Sequence, residues 1–126
     1  MTVAYKEIIY EVENGVATIT INRPDQLNAL TDLTQAEIRH ALEQSEINPD
    51  VVGTILTGAG RGFCSGVDMN ALGGMSEAGK RLGNNYEYLQ ADPGNPDNDT
   101  NYPSSPTYFL GLRKPLIAAI NGAAAG

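Results

Sequence analysis

The sequence predicts a mixed α/β domain. Three observations carry the prediction: two β-branched runs joined by Asn14-Gly15, a stretch over residues 29–47 whose apolar positions change to helical spacing, and two later apolar runs, 51–57 and 116–121, each followed at once by a turn of glycine and other small residues. The expected element order is β-β-α-β-α-β.

The first two strands fall in residues 7–22. Asn14-Gly15 is the strongest short hairpin signal, because both residues tolerate positive φ. In the second run Val16, Thr18 and Thr20 alternate with Ala17, Ile19 and Ile21, the period of a half-buried strand, and Arg23-Pro24 ends it. Over 29–47, Leu30, Leu33, Ile38, Ala41 and Leu42 share one helical face, while Glu37, Arg39, Glu43 and Gln44 lie largely off it. Asp32 and Gln35 are a candidate capping pair. Asn48-Pro49-Asp50 closes this helix, and residues 51–57 then read as a strand covered on both faces, since polar alternation is weak. A glycine-rich turn spans 58–66. Short helices are expected over 68–72 and 76–89, interrupted by Gly73-Gly74. Residues 92–105 hold three prolines among Asn and Asp, the composition of an exposed loop. Residues 108–113 fit one amphipathic turn, and 116–121 the last strand.

Composition limits the function classes. The chain has 126 residues, 41% of them hydrophobic, enough for a core. Its net charge of −7 repels a phosphate backbone, and no basic cluster is longer than a pair such as Arg113-Lys114, so nucleic acid is not expected as a partner. One cysteine and one histidine leave no disulfide framework and no zinc motif, so no metal is expected. No apolar run approaches the roughly 18 residues that span a bilayer, and the amino-terminal stretch carries acids where a signal peptide needs apolar residues. A cytoplasmic protein is expected. The apolar stretch 115–126 resembles a core strand and turn more than a frayed terminus, as if the sequence stopped inside a domain.

The glycine turn does not match the nucleotide-binding loops. The sixth place of a dinucleotide fingerprint requires Gly or Ala and is Phe63 here, with no acid placed to bind ribose. No Gly-Lys-Ser/Thr closes a P-loop. Glycines 58, 60, 62 and 66 instead offer close approach of backbone to a ligand, with unpaired amides at the helix start expected after Gly66-Val67-Asp68. Asn121-Gly122 and the small residues to Gly126 repeat the pattern. Two such turns would aim two N–H groups at one oxygen.

Three segments then resemble the motifs of one family. Arg23-Pro24-Asp25-Gln26-Leu27-Asn28-Ala29-Leu30 is similar to the R-P-x-x-x-N-A-L turn of the crotonase superfamily, the enoyl-CoA hydratase/isomerase family. Phe63-Cys64-Ser65-Gly66-Val67-Asp68-Met69 resembles its F-x-x-G-A-D-L segment, and Lys114-Pro115-Leu116-Ile117-Ala118-Ala119-Ile120-Asn121-Gly122 its K-P-x-I-A-A-x-N-G. The resemblance implies a spiral of repeated ββα units, of which residues 1–126 would be the amino-terminal part of a single domain. It implies that the Val67 amide is one oxyanion-hole donor to an acyl-CoA thioester oxygen, with valine in the usual place of alanine. The second donor would follow Gly126. Leu27 and Ala29 would line the CoA cleft, and Ser65, Gly66 and Asp68 would lie beside adenine and pantetheine. The implied activity is hydration of trans-2-enoyl-CoA in fatty acid metabolism, with isomerase, acyl-CoA hydrolase and a noncatalytic acyl-CoA-binding module as alternatives. No separate cofactor is implied, since coenzyme A is part of the substrate, and a homotrimer or hexamer is expected. No residue here inherits the family's acid/base role.

Four side chains invite chemistry of their own. Cys64 is a possible nucleophile, but no histidine lies near it in sequence, and a small buried residue fits better. His40 reads as a solvated residue on the polar side of the helix. Asp68 fits capping or loop anchoring at a helix start better than a base. For Arg23 two readings stand: contact with a CoA phosphate, or a surface strand end.

Overall fold

The computed structural model describes residues 4–68, 87–94 and 107–125. Strands β1 (Ile8–Glu13) and β2 (Val16–Ile21) form the expected hairpin, with Glu13 opposite Val16 and Asn14 and Gly15 at φ of 52° and 82°. This two-residue loop, left-handed at both positions, matches the twist of its strands. In β2 the alternation is realised: Ala17, Ile19 and Ile21 are buried and Val16, Thr18 and Thr20 half-buried.

The helix α1 runs Asp32–Ile47, three residues shorter at its start than the spacing predicts. Two left-handed residues, Leu27 and Asn28, hold the preceding segment in a turn, and Leu30 forms a β-bridge with Val67 instead of a helical turn. The cap is Thr31, whose hydroxyl accepts from Thr34 N at 3.1 Å while Thr34 Oγ1 accepts from Thr31 N at 3.2 Å, so the expected Asp32/Gln35 pair is corrected to Thr31/Thr34. Ile38, Ala41 and Leu42 are buried as expected. Glu37, assigned to the polar side, is fully buried: its carboxylate accepts from Lys6 N and Glu7 N, both at 2.7 Å. Glu46 repeats the device, accepting from Arg113 N at 2.6 Å and Lys114 N at 3.0 Å. Each buried carboxylate thereby replaces its lost water with two backbone donors.

Strand β3 (Gly53–Gly58) lies parallel to β2 and to β5 (Leu116–Ala118), giving the sheet order β1-β2-β3-β5. The helix α1 packs on the side of Ala17, Ile19, Ile21 and Thr54, where Ser45 and Thr54 hydroxyls meet. The expectation that this strand is covered on both faces is corrected. Ile55, on the opposite face, is only half-buried, and its neighbour Ile117 is 60% exposed, because α1 covers one side of the sheet. The last predicted strand ends at Ala118. The chain then leaves this sheet, and β6 (Ala123–Ala124) pairs in parallel with β4 (Gly62–Cys64) in a second, two-stranded sheet.

The short helix expected after Asp68 through Leu72 and most of that over 76–89 lie outside the described residues; the described end of the latter, Glu87–Leu89, is a 3-10 turn. Of the loop expected over 92–105, residues 92–94 are described. Asp92 is held there by Arg39 at 3.1 Å, and its N–H donates to Glu43. The amphipathic turn near 108–113 is a 3-10 helix, Thr107–Gly111, that buries Tyr108 in the core.

Candidate functional site

The site is built on the glycine turn between β3 and β4. Two asparagines grip it. Asn28, fully buried, accepts from Arg23 N at 2.8 Å and donates to Ala59 O at 2.9 Å and Gly62 O at 2.7 Å. From the other side, Asn121 accepts from Gly58 N at 3.1 Å and donates to Gly60 O at 3.0 Å and Gly62 O at 3.2 Å. Both side-chain amides therefore converge on the Gly62 carbonyl. Both asparagines lie within the motif segments, whose resemblance implies no role for them. The available signal was Asn28's place in a tight turn, since asparagine tolerates the left-handed φ of 58° that it adopts.

This packing changes the purpose of two glycines. A Cβ at Gly58 would lie 2.6 Å from Phe63 O and 2.8 Å from Asn28 Nδ2, and one at Gly62 3.3 Å from Leu27 O. These positions make room for the protein's own chain, not for a ligand as the sequence suggested. Gly66 is different: its φ of 107° is open only to glycine, and it turns the chain into Val67.

Segments 27–30 and 65–68 lie side by side. Ser65 N donates to Leu27 O at 3.1 Å, Leu30 N to Gly66 O at 2.7 Å, and Asp68 N to Leu30 O at 2.8 Å. Gly66 C=O and Val67 N–H belong to one planar trans peptide and point in opposite directions. With the carbonyl fixed on Leu30, the Val67 N–H is directed away from it, and no acceptor for it exists among the described residues. Leu27, Ser65 and Val67 form an exposed rim, whereas Gly66 and Asp68 are buried and Ala29 is half-buried. Gly126 lies outside the described residues. The turn that leads to it is brought alongside: Gly62 pairs with Ala123 and Cys64 with Ala124, and Ala125 N donates to Cys64 O at 2.8 Å.

Arg23 fits neither reading offered for it. Its guanidinium is half-buried, donates to Ala29 O, and lies 3.3 Å from Asp68 Oδ2 and 3.6 Å from Glu7 Oε2. Asp68, 7% exposed, is accordingly an anchor of the loop through Arg23. His40 is corrected from a solvated residue to a half-buried one, with Nδ1 2.7 Å from Tyr5 Oη. Burial, and then the neighbouring Tyr10 and Glu37, push the Tyr5 phenol up to about 12. Cys64 is buried in the core cluster beside an apolar cavity of about 190 Å³ that Leu30, Phe63 and Tyr108 also line, as expected of a small packing residue. No cluster of metal-ligating side chains occurs among the described residues. None of the helices there is long and apolar enough to cross a membrane.

The mixed α/β scaffold thus sets the Val67 N–H, which has no acceptor among the described residues, beside a glycine turn. The family profile described as enoyl-CoA hydratase/isomerase matches residues 11–126, and the chain belongs to that family. It is 38% identical over 124 residues to a protein of Mycobacterium tuberculosis H37Rv named probable enoyl-CoA hydratase, covering 97% of this chain and 42% of that one. It is 35% identical to the 1,2-epoxyphenylacetyl-CoA isomerase of Escherichia coli K12, covering 94% and 41%. Among solved structures, an enoyl-CoA hydratase from M. tuberculosis H37Rv superposes with a TM-score of 0.64 at 30% identity, covering 94% of this chain and 41% of that one. The chain spans about two fifths of the length of the curated relatives it matches.

Proposed function

We propose that the protein carrying this sequence binds an acyl-CoA thioester and hydrates trans-2-enoyl-CoA. The observation that carries the reading is the Val67 N–H, which has no acceptor among the described residues and is aimed by the Gly66–Leu30 hydrogen bond. A thioester carbonyl gains negative charge as an enolate forms, and a donor already oriented in a dry site stabilises that charge without reorganising. The parallel pairing of β4 with β6 brings the chain that leads to Gly126 alongside the first turn, which supports a second donor following Gly126. Leu27, Ala29 and Ser65 border the approach to Val67 and are proposed to contact CoA, with Gly66 and Asp68 shaping the loop beneath it.

Calorimetry with acetyl-CoA and NAD tests the binding step: acetyl-CoA binds and NAD does not, while the reverse would sink the reading. Crotonyl-CoA hydration, followed as loss of enoyl absorbance, tests the reaction. The E. coli relative named an isomerase favours a second reading, a double-bond or ring isomerisation on the same oxyanion site. Product analysis separates the two, since only hydration adds a hydroxyl. Assembly as a trimer or hexamer is proposed with either reading, and light scattering of the purified protein checks it.

A further inference from the structure

The Val67 donor has a charged origin two peptide groups away. Arg23 Nη1 donates to the Ala29 carbonyl. That carbonyl shares a planar trans peptide with Leu30 N–H, which points the opposite way and donates to Gly66 O at 2.7 Å. The Gly66 carbonyl in turn shares its peptide with Val67 N–H. The guanidinium, two peptide dipoles and the donor thus form one continuous chain with its positive end at Arg23, and its last N–H has no acceptor among the described residues. Hydrogen bonds in series polarise one another in the same sense. Asp68 Oδ2, 3.3 Å from both Nη1 and Nη2, and Glu7 Oε2, 3.6 Å from Nε, hold the guanidinium in place.

We propose that Arg23 is a positioning residue that aims and polarises the Val67 N–H through the Ala29–Leu30 and Gly66–Val67 peptides. This rests on Val67 being the donor to a thioester oxygen. It gives the arginine of the first motif and the aspartate of the second a joint task at a site neither touches.

The test compares acetyl-CoA with S-ethyl-CoA, in which the carbonyl is replaced by CH2. The wild-type protein binds the thioester more tightly. Arg23→Gln, with its fold verified by 1H–15N spectra, is expected to lose about threefold to tenfold of that preference at unchanged S-ethyl-CoA affinity, and to shift the Val67 amide proton upfield. Arg23→Lys, which keeps a cationic donor, is expected to restore part of both. Equal weakening of both ligands in Arg23→Gln, or an unchanged preference, overturns the relay while leaving the donor assignment intact. A wild-type protein without preference for the thioester overturns both. If Arg23→Gln fails to fold, the wild-type protein still decides: a scalar coupling across the hydrogen bond from Leu30 N to the Gly66 carbonyl carbon is expected, and its absence overturns the proposal.

Discussion

At the scale of single residues, Asn28 and Gly66 do most to shape the site. Asn28 meets one donor and two acceptors in a buried turn, so Asn28→Ala strands Arg23 N–H and Ala59 C=O, while Gly62 O keeps Asn121. The expected loss is about 2–4 kcal/mol in urea denaturation, from roughly 1–3 kcal/mol for each buried group left unsatisfied, with partial recovery by water. Gly66 acts through its backbone alone. Placing a Cβ at φ of 107° costs about 1–3 kcal/mol, and Gly66→Ala is expected to lower both stability and acetyl-CoA affinity, since it misaims the Val67 amide. A Gly66→Ala protein of wild-type stability would contradict the backbone assignment.

At the scale of elements, α1 acts as a clamp as much as a core helix. Glu37 draws in the backbone before β1, and Glu46 draws in the backbone before β5, from positions nine residues apart on the same helix. Lys114 adds a second tie, its Nζ donating to Ser45 O at 2.8 Å and Asn48 O at 2.6 Å, the last carbonyls of α1. Because β5 leads to Asn121 and β6, this end of α1 sets where the second turn meets the first. Glu46→Gln keeps the shape but leaves one of two backbone N–H groups facing an NH2. A loss of about 1–3 kcal/mol is expected, together with faster amide exchange at Arg113 and Lys114. At the opposite end, Thr31→Ala removes the cap and is expected to cost about 1 kcal/mol.

At the scale of the whole molecule, the core carries its own alkaline limit. Burial pushes the Tyr108 phenol up to about 12, against the lowering influence of Arg39, and Tyr5 reaches a similar value. Between the ordinary 10.0 and about 12 the folded chain keeps protons that the unfolded chain has released. Stability from these groups is therefore complete below pH 10 and falls as pH rises through 12. Urea midpoints at pH 9 and pH 11 check this, and Tyr108→Phe is expected to show the smaller drop; an equal drop would remove Tyr108 from the account.

Much of this architecture was legible residue by residue. The hairpin follows from the left-handed tolerance of Asn14-Gly15, the buried side of β2 from a period of two, and the middle of α1 from its apolar spacing, since each depends on neighbours within a few positions. The motif segments likewise pointed to the Val67 amide. Other features depend on residues far apart in sequence. Glu37 reads as lying off the apolar face because its partners, the amides of residues 6 and 7, have no side-chain signature. Leu30 read as helical because its bridge to Val67 joins positions 37 apart. By itself, then, the sequence determined the local elements and the family. Only the tertiary structure decided which buried polar groups meet, that Arg23 faces inward, and where one peptide N–H is left to point, because hydrogen bonds between backbone groups leave no trace in side-chain identity.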